Sequence, residues 1–175
     1  MRKLAIIALS MMSMNTQAQV KINHFITSKD SVDGGLIFKG ELDFPILNTE
    51  PTFDWFKKGV AEYKPNTADI KKLDPALKQY SLVVVMGTWC DDSHNLVPKL
   101  YKVLSDANYP LSQVTMFGVD RAKAIGEGRE KTYNITYVPA IIVFDGTKEI
   151  GRITESVQTS IEADLFAIID KYKKN

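Results

Sequence analysis

The chain has one cysteine, Cys90, among its 175 residues, so it cannot form an intramolecular disulfide and its thiol has no partner within the chain. It has two histidines, His24 and His94, which leaves few nitrogen ligands for a transition metal. It also lacks a dominant charge, with 22 basic against 21 acidic side chains, so there is no electrostatic case for nucleic acid or an anionic membrane surface as partner. No apolar run reaches the roughly 20 residues a spanning helix needs, and there is no internal repeat or low-complexity segment. What the chain does have is 45% hydrophobic and 25% charged content, the composition of one globular domain large enough to bury a core.

Arg2 and Lys3 precede an apolar stretch from Leu4 to about Met14, and Thr16-Gln17-Ala18 supplies small residues before Gln19. This pattern predicts a secretory signal peptide over 1–18 and an exported product, periplasmic or secreted, with no membrane segment in the mature form. No cysteine lies near the cut, which excludes lipid attachment there. Removing Arg2 and Lys3 leaves the mature chain close to neutral.

The most informative stretch runs from Leu82 to His94. Leu82-Val83-Val84-Val85-Met86 is a continuous apolar run bounded by Gly87, which predicts a strand covered on both faces. Beyond Cys90, a helical stripe of Leu96, Val97, Leu100, Tyr101, Val103 and Leu104 follows Asp91, Asp92 and Ser93, residues favoured at a helix start. Cys90 is thus expected at or beside a helix N-terminus, where unpaired N–H groups and the macrodipole favour a thiolate. Asp91 and Asp92 oppose this, since a nearby like charge disfavours a second anion. The blander alternative is that Cys90 is a small buried hydrophobe.

Trp89-Cys90-Asp91-Asp92-Ser93 after an apolar strand resembles the active-site segment of the thioredoxin superfamily, with serine in place of the second cysteine of Trp-Cys-x-x-Cys. A second matching segment is Tyr137-Val138-Pro139-Ala140-Ile141-Ile142-Val143-Phe144. The resemblance implies that Pro139, with Val138 before it, is cis and packs against Cys90. It extends from about Lys64 to Lys174 and is strongest to exported thioredoxin-like proteins with a Trp-Cys-x-Asp-Ser motif. It implies a thioredoxin-like three-layer α/β/α sandwich with a mixed central sheet. Residues 64–175 would form that domain, with 19–63 as an N-terminal extension packed on the core.

The rest of the chain is read from local pattern. Lys29 to Gly35 is a turn-rich break, and Leu36 to Phe44 a candidate edge strand. A short helix capped by Thr52 is expected through Val60, then a helix from Asp69 to Tyr80 kinked or split at Pro75. Pro98 falls inside the helix after Cys90. Further on, the pattern predicts a strand at Val114–Val119, a loop with a short helix at 122–134, strands at Val138–Phe144 and Glu149–Ile153, and a helix at Ser160–Tyr172.

Ser93 cannot resolve a mixed disulfide, so net dithiol oxidation or reduction within the chain is chemically excluded. The thioredoxin resemblance also implies a buried acid six residues before the cysteine, where this chain has Val84. What remains is monothiol exchange, isomerisation or deglutathionylation. Cys90 would be the nucleophile, Pro139 would shape the groove, and Trp89, Asp91, Asp92, Ser93 and Val138 would stand around them. Partners would be disulfide-containing or glutathionylated proteins and small thiols, with no cofactor. His94 is either an imidazole that reaches Cys90 or a solvated helix-face residue. Two other classes stay open. One is a redox-inactive binding module on the same fold, and the other a copper or zinc chaperone built on Cys90, His94 and Asp91 or Asp92.

Overall fold

The computed structural model describes residues 25–175; the expected signal peptide and His24 lie outside the described residues. Two strands come first, β1 (Phe25–Lys29) and β2 (Leu36–Leu42), joined by a turn in which the Asp30 N–H donates to the Gly35 carbonyl at 2.8 Å. Three helices follow: α1 (Phe44–Thr49), α2 (Asp54–Glu62) and α3 (Thr67–Leu77). Asp43 caps α1 by accepting from the Ile46 N–H at 3.0 Å. Then come β3 (Ser81–Met86), α4 (Asp91–Asp106), a 3₁₀ turn at Leu111–Gln113 and β4 (Val114–Gly118). The chain closes with α5 (Arg129–Thr132), β5 (Ala140–Asp145), β6 (Lys148–Thr154) and α6 (Ile161–Lys173).

The α/β class expected from sequence is present as one six-stranded mixed sheet in the order β1-β2-β4-β3-β5-β6. Only β3 and β4 run parallel; every other neighbouring pair is antiparallel. Of residues 25–63, the first part supplies two strands of this sheet, β2 hydrogen-bonding β4 directly and β1 forming the outer edge, and the rest forms α1 and α2, which pack on the core.

The apolar run of β3 lies at the centre, and its alternation divides the core. Leu82, Val84 and Met86 face the larger cluster, with Leu47 of α1, Phe56 of α2, Leu73 of α3, Leu100 of α4 and Leu165 of α6. Val83 and Val85 face a smaller cluster with Phe117, Val119, Ile125, Val138 and Ile142. One face therefore carries five helices. The other is covered by the 119–139 connection, whose helix, α5, has four residues.

Some local expectations are corrected. Thr52 does not cap α2: Phe53 holds the cap position, while the Thr52 hydroxyl donates to Glu50 Oε1 at 2.8 Å. Pro75 does not split α3, which runs unbroken to Leu77, because the proline falls in the last turn, where one lost N–H costs little further helix.

Candidate functional site

Parallel pairing of β3 and β4 sends both chains out of the same edge of the sheet, in register at Met86 and Gly118. Three residues beyond each lie Trp89 and Arg121, and the structure sets them together: the Arg121 guanidinium carbon lies 4.8 Å from the Trp89 ring centroid. Trp89 is held from below, its indole N–H donating to the Val119 carbonyl at 2.8 Å. Gly87 makes room for this, since a Cβ there would stand 2.7 Å from Trp89 Cε2.

Cys90 occupies the N-cap position of α4 in extended backbone conformation and is half-buried. Its thiol donates to the Val138 carbonyl at 3.4 Å, and the Val138–Pro139 peptide is cis. Cys90, Val138 and Pro139 are thus brought together from elements 48 residues apart. Val138 and Pro139 are buried, while Tyr137 beside them is exposed.

Ser93 is fully buried and its hydroxyl accepts the Gly87 N–H at 3.2 Å. That bond ties the turn before Cys90 to the first turn of α4. The sequence allowed a Ser93 contact with the thiolate; the hydrogen bond formed is with Gly87. Asp91 and Asp92 are exposed in the first turn of α4, where neither holds the cap position, which is that of Cys90.

His94 is partly buried, with its Nδ1 4.0 Å from Asp91 Oδ1. Its ring stacks on Trp55 with centroids 4.2 Å apart, and Nε2 lies 2.8 Å from the Thr88 carbonyl. The imidazole therefore locks α2 to the loop before Cys90. Thr88 does the same for β2, its hydroxyl donating to the Leu36 carbonyl at 2.8 Å and accepting the Phe38 N–H at 3.0 Å. A cleft of about 290 Å³ runs beside this loop, lined in part by Asp33, Trp55, Trp89, Asp91 and His94. Among the described residues no group of three or more His, Cys, Asp or Glu side chains is placed to hold a metal ion.

The site's largest feature missed in the sequence is an ion pair. Asp30, in the β1–β2 turn with its side chain 1% exposed, accepts from Arg121 Nε at 2.8 and 2.9 Å and from Nη2 at 2.6 Å. The Arg121 hydrogen bonds, against an opposing burial penalty, hold the Asp30 carboxyl below its ordinary range, with help from the Val32 N–H. A carboxylate with a depressed folded pKa stabilises the fold above its unfolded value of about 3.9, and that contribution is lost as pH falls through the folded value. The thermal midpoint of the wild type is accordingly expected to fall more steeply below about pH 4 than that of an Asp30→Asn/Arg121→Gln double variant. Parallel curves from pH 6 to pH 2 would contradict this.

No family model and no curated protein matches the chain. Solved structures do. A protein of unknown function from Pseudomonas aeruginosa superposes with a TM-score of 0.54 at 16% identity, over 75% of this chain and 93% of its own. An HIV epitope-scaffold superposes with a TM-score of 0.54 at 17% identity, over the same shares. The likeness is one of fold alone. No helix among the described residues is long and apolar enough to cross a membrane.

Proposed function

We propose that the chain is an exported thioredoxin-like protein that carries out monothiol thiol–disulfide exchange through Cys90. The observation that carries this reading is the position of the sulfur: half-exposed at the N-cap of the 16-residue α4 and 3.4 Å from the carbonyl that precedes Pro139. The N-terminal end of a long helix lies beside that sulfur, a setting that suits a nucleophilic thiol. The order β3, α4, β4, α5, then the β5–β6 hairpin and α6, supports the thioredoxin-like reading of the fold.

In the exchange, the Cys90 thiolate attacks one sulfur of a substrate disulfide. A Cys90–S–S–R bond forms, the substrate S–S bond breaks, and the second sulfur leaves as a thiolate that takes a proton from water. An external thiol then attacks the mixed disulfide and regenerates Cys90. No net electrons pass to or from the chain. With one cysteine in the chain, the releasing thiol must come from outside.

The test is the second-order rate of adduct formation with glutathione disulfide, read by mass spectrometry on the folded protein and on the same chain in denaturant. The folded protein is expected to react about tenfold faster or more, to release on addition of reduced thiol, and to lose all adduct in Cys90→Ala. A folded rate at or below the denatured rate would overturn the proposal and leave the fold as a binding module.

A further inference from the structure

The cleft of about 290 Å³ beside the Cys90 loop is distinguished by the chemistry of its walls. Among the described residues they hold two carboxylates, Asp33 and Asp91, and no lysine or arginine. Both of the chain's tryptophans, Trp55 and Trp89, stand in the same walls. Carboxylates beside indoles recognise a cation, by charge and by the negative face of the ring. Trp89 already shows this chemistry, with the Arg121 guanidinium carbon 4.8 Å from its ring centroid. Arg121 does not neutralise the cleft. It donates three hydrogen bonds to the buried Asp30 carboxylate, which matches its charge, and Asp33 stands further off at 3.8 Å. Asp33 is held in the β1–β2 turn, its Oδ1 accepting the Gly35 N–H at 2.8 Å, and Asp91 is exposed.

Size and position narrow the occupant. The volume lies at the lower bound of the roughly 300–1,000 Å³ of small-molecule pockets, which suits one long side chain rather than a whole cofactor. Trp89 and Asp91 are the two chain neighbours of Cys90, so the cleft wall begins one residue, about 3.8 Å between Cα atoms, from the nucleophile. A substrate whose cysteine meets Cys90 therefore reaches the cleft with a residue one or two places along. Asp92, on the same turn of α4, lies outside this lining.

Resting on the exchange reading above, we propose that this cleft is the subsite for a basic side chain, arginine above all, one or two residues from the reacting cysteine of a polypeptide disulfide. Arginine suits it because the planar guanidinium stacks on indole and its fork pairs with carboxylate oxygens. The β1–β2 turn, which brings Asp33, and α2, which brings Trp55, then help to choose the substrate. The exchange step is unchanged: the cation is bound, and is neither consumed nor transferred.

The test compares the symmetrical disulfides of two blocked peptides, acetyl-Cys-Gly-Arg-amide and acetyl-Cys-Gly-Gln-amide, at pH 8, above the ordinary imidazole range. Each mixed-disulfide rate, read by mass spectrometry, is divided by that of the same peptide with the chain unfolded in urea, which removes intrinsic reactivity. On the folded protein the arginine peptide is expected to react about fivefold faster than the glutamine peptide. Asp33→Asn/Asp91→Asn, in which residue 33 still accepts the Gly35 N–H, should bring the two within about 1.5-fold. Asp92→Asn removes the same charge from the same turn outside the cleft and should retain the preference, whatever it does to both rates together. Binding is read apart from chemistry by titrating the Cys90→Ala chain with acetyl-Ser-Gly-Arg-amide. A saturating change in tryptophan fluorescence is expected, since both emitters line the cleft, and none with the glutamine peptide. Equal normalised rates in the wild type, the same loss of preference in Asp92→Asn, or unchanged fluorescence would overturn the inference. Saturation without accelerated exchange in the wild type defeats the exchange reading and leaves the cleft as a cation site, whereas accelerated exchange without an arginine preference defeats only the subsite.

Discussion

Replacing Ser93 by cysteine is expected to convert the protein from a monothiol into a dithiol exchanger. Residue 93 sits in the first turn of α4, three positions after the capping Cys90, and is fully buried behind it. Residues so spaced at a helix start have Cα atoms roughly 5–6 Å apart, within the range a disulfide bridges. Under glutathione disulfide the variant should lose both free thiols and retain no glutathione, because the new thiol attacks the mixed disulfide faster than any external one. In the presence of dithiothreitol it should then reduce insulin disulfides about tenfold faster than wild type or more. The cost to stability should be about 1 kcal/mol, since sulfur is a poorer acceptor than the hydroxyl that now takes the Gly87 N–H. Val84, fully buried in apolar surroundings, leaves no acid to handle the proton of the second thiol, so the variant should remain slower than a dithiol site that carries one. A stable glutathione adduct on the variant would show that the two side chains do not meet, and would count against the exchange geometry proposed for Cys90.

The second large effect is structural. Gly118 ends β4 opposite Gly40 of β2, and a Cβ at position 118 would lie 2.1 Å from the Phe38 carbonyl oxygen and 2.8 Å from Leu42 Cδ1. The first of these is backbone and cannot turn aside, so Gly118→Ala must push β2 away from β4. That separates the N-terminal hairpin from the sheet, and with it Asp30 from Arg121 and Thr88 from its two partners on β2. The expected loss is about 3 kcal/mol, or a fall in Tm of roughly 6–12 °C for a domain of this size. A variant within 2 °C of wild type, a threshold set by about 0.5 kcal/mol, would mean that β2 pairs more loosely than its register shows.

The two substitutions probe parts of the molecule that were unequally legible in the sequence. The centre was legible because its signals are local. Five consecutive apolar residues before Gly87 need no partner to read as a covered strand, and the stripe after Asp92 reads as a helix from its spacing alone. The position of Cys90 at the junction follows from those two facts. Pro139, just before β5, was placed beside Cys90 only through the resemblance, since nothing local joins residues so far apart; the Cys90 hydrogen bond to Val138 spans 48. Thr52 misled because a capping residue type was present one position too early, and the fold gave the cap to Phe53, whose ring is buried against Phe38.

By itself, the sequence determined that the chain holds one thiol and no intramolecular disulfide, that this thiol follows a covered strand and opens a helix, and that Ser93 cannot resolve what Cys90 captures. Only the tertiary structure decided which ion pair stands against Trp89, the residue before that thiol. Asp30 and Arg121 lie 91 residues apart, one in a hairpin turn and one past the end of β4, and neither has a sequence pattern that names the other. They meet because β2 joins β4 antiparallel while β3 joins it parallel, so the turn after β1, the exit of β4 and the exit of β3 share one edge of the sheet. Local propensity is set within a few residues of chain, whereas an ion pair of this kind is set by strand order, which depends on how all the strands bury their apolar faces at once.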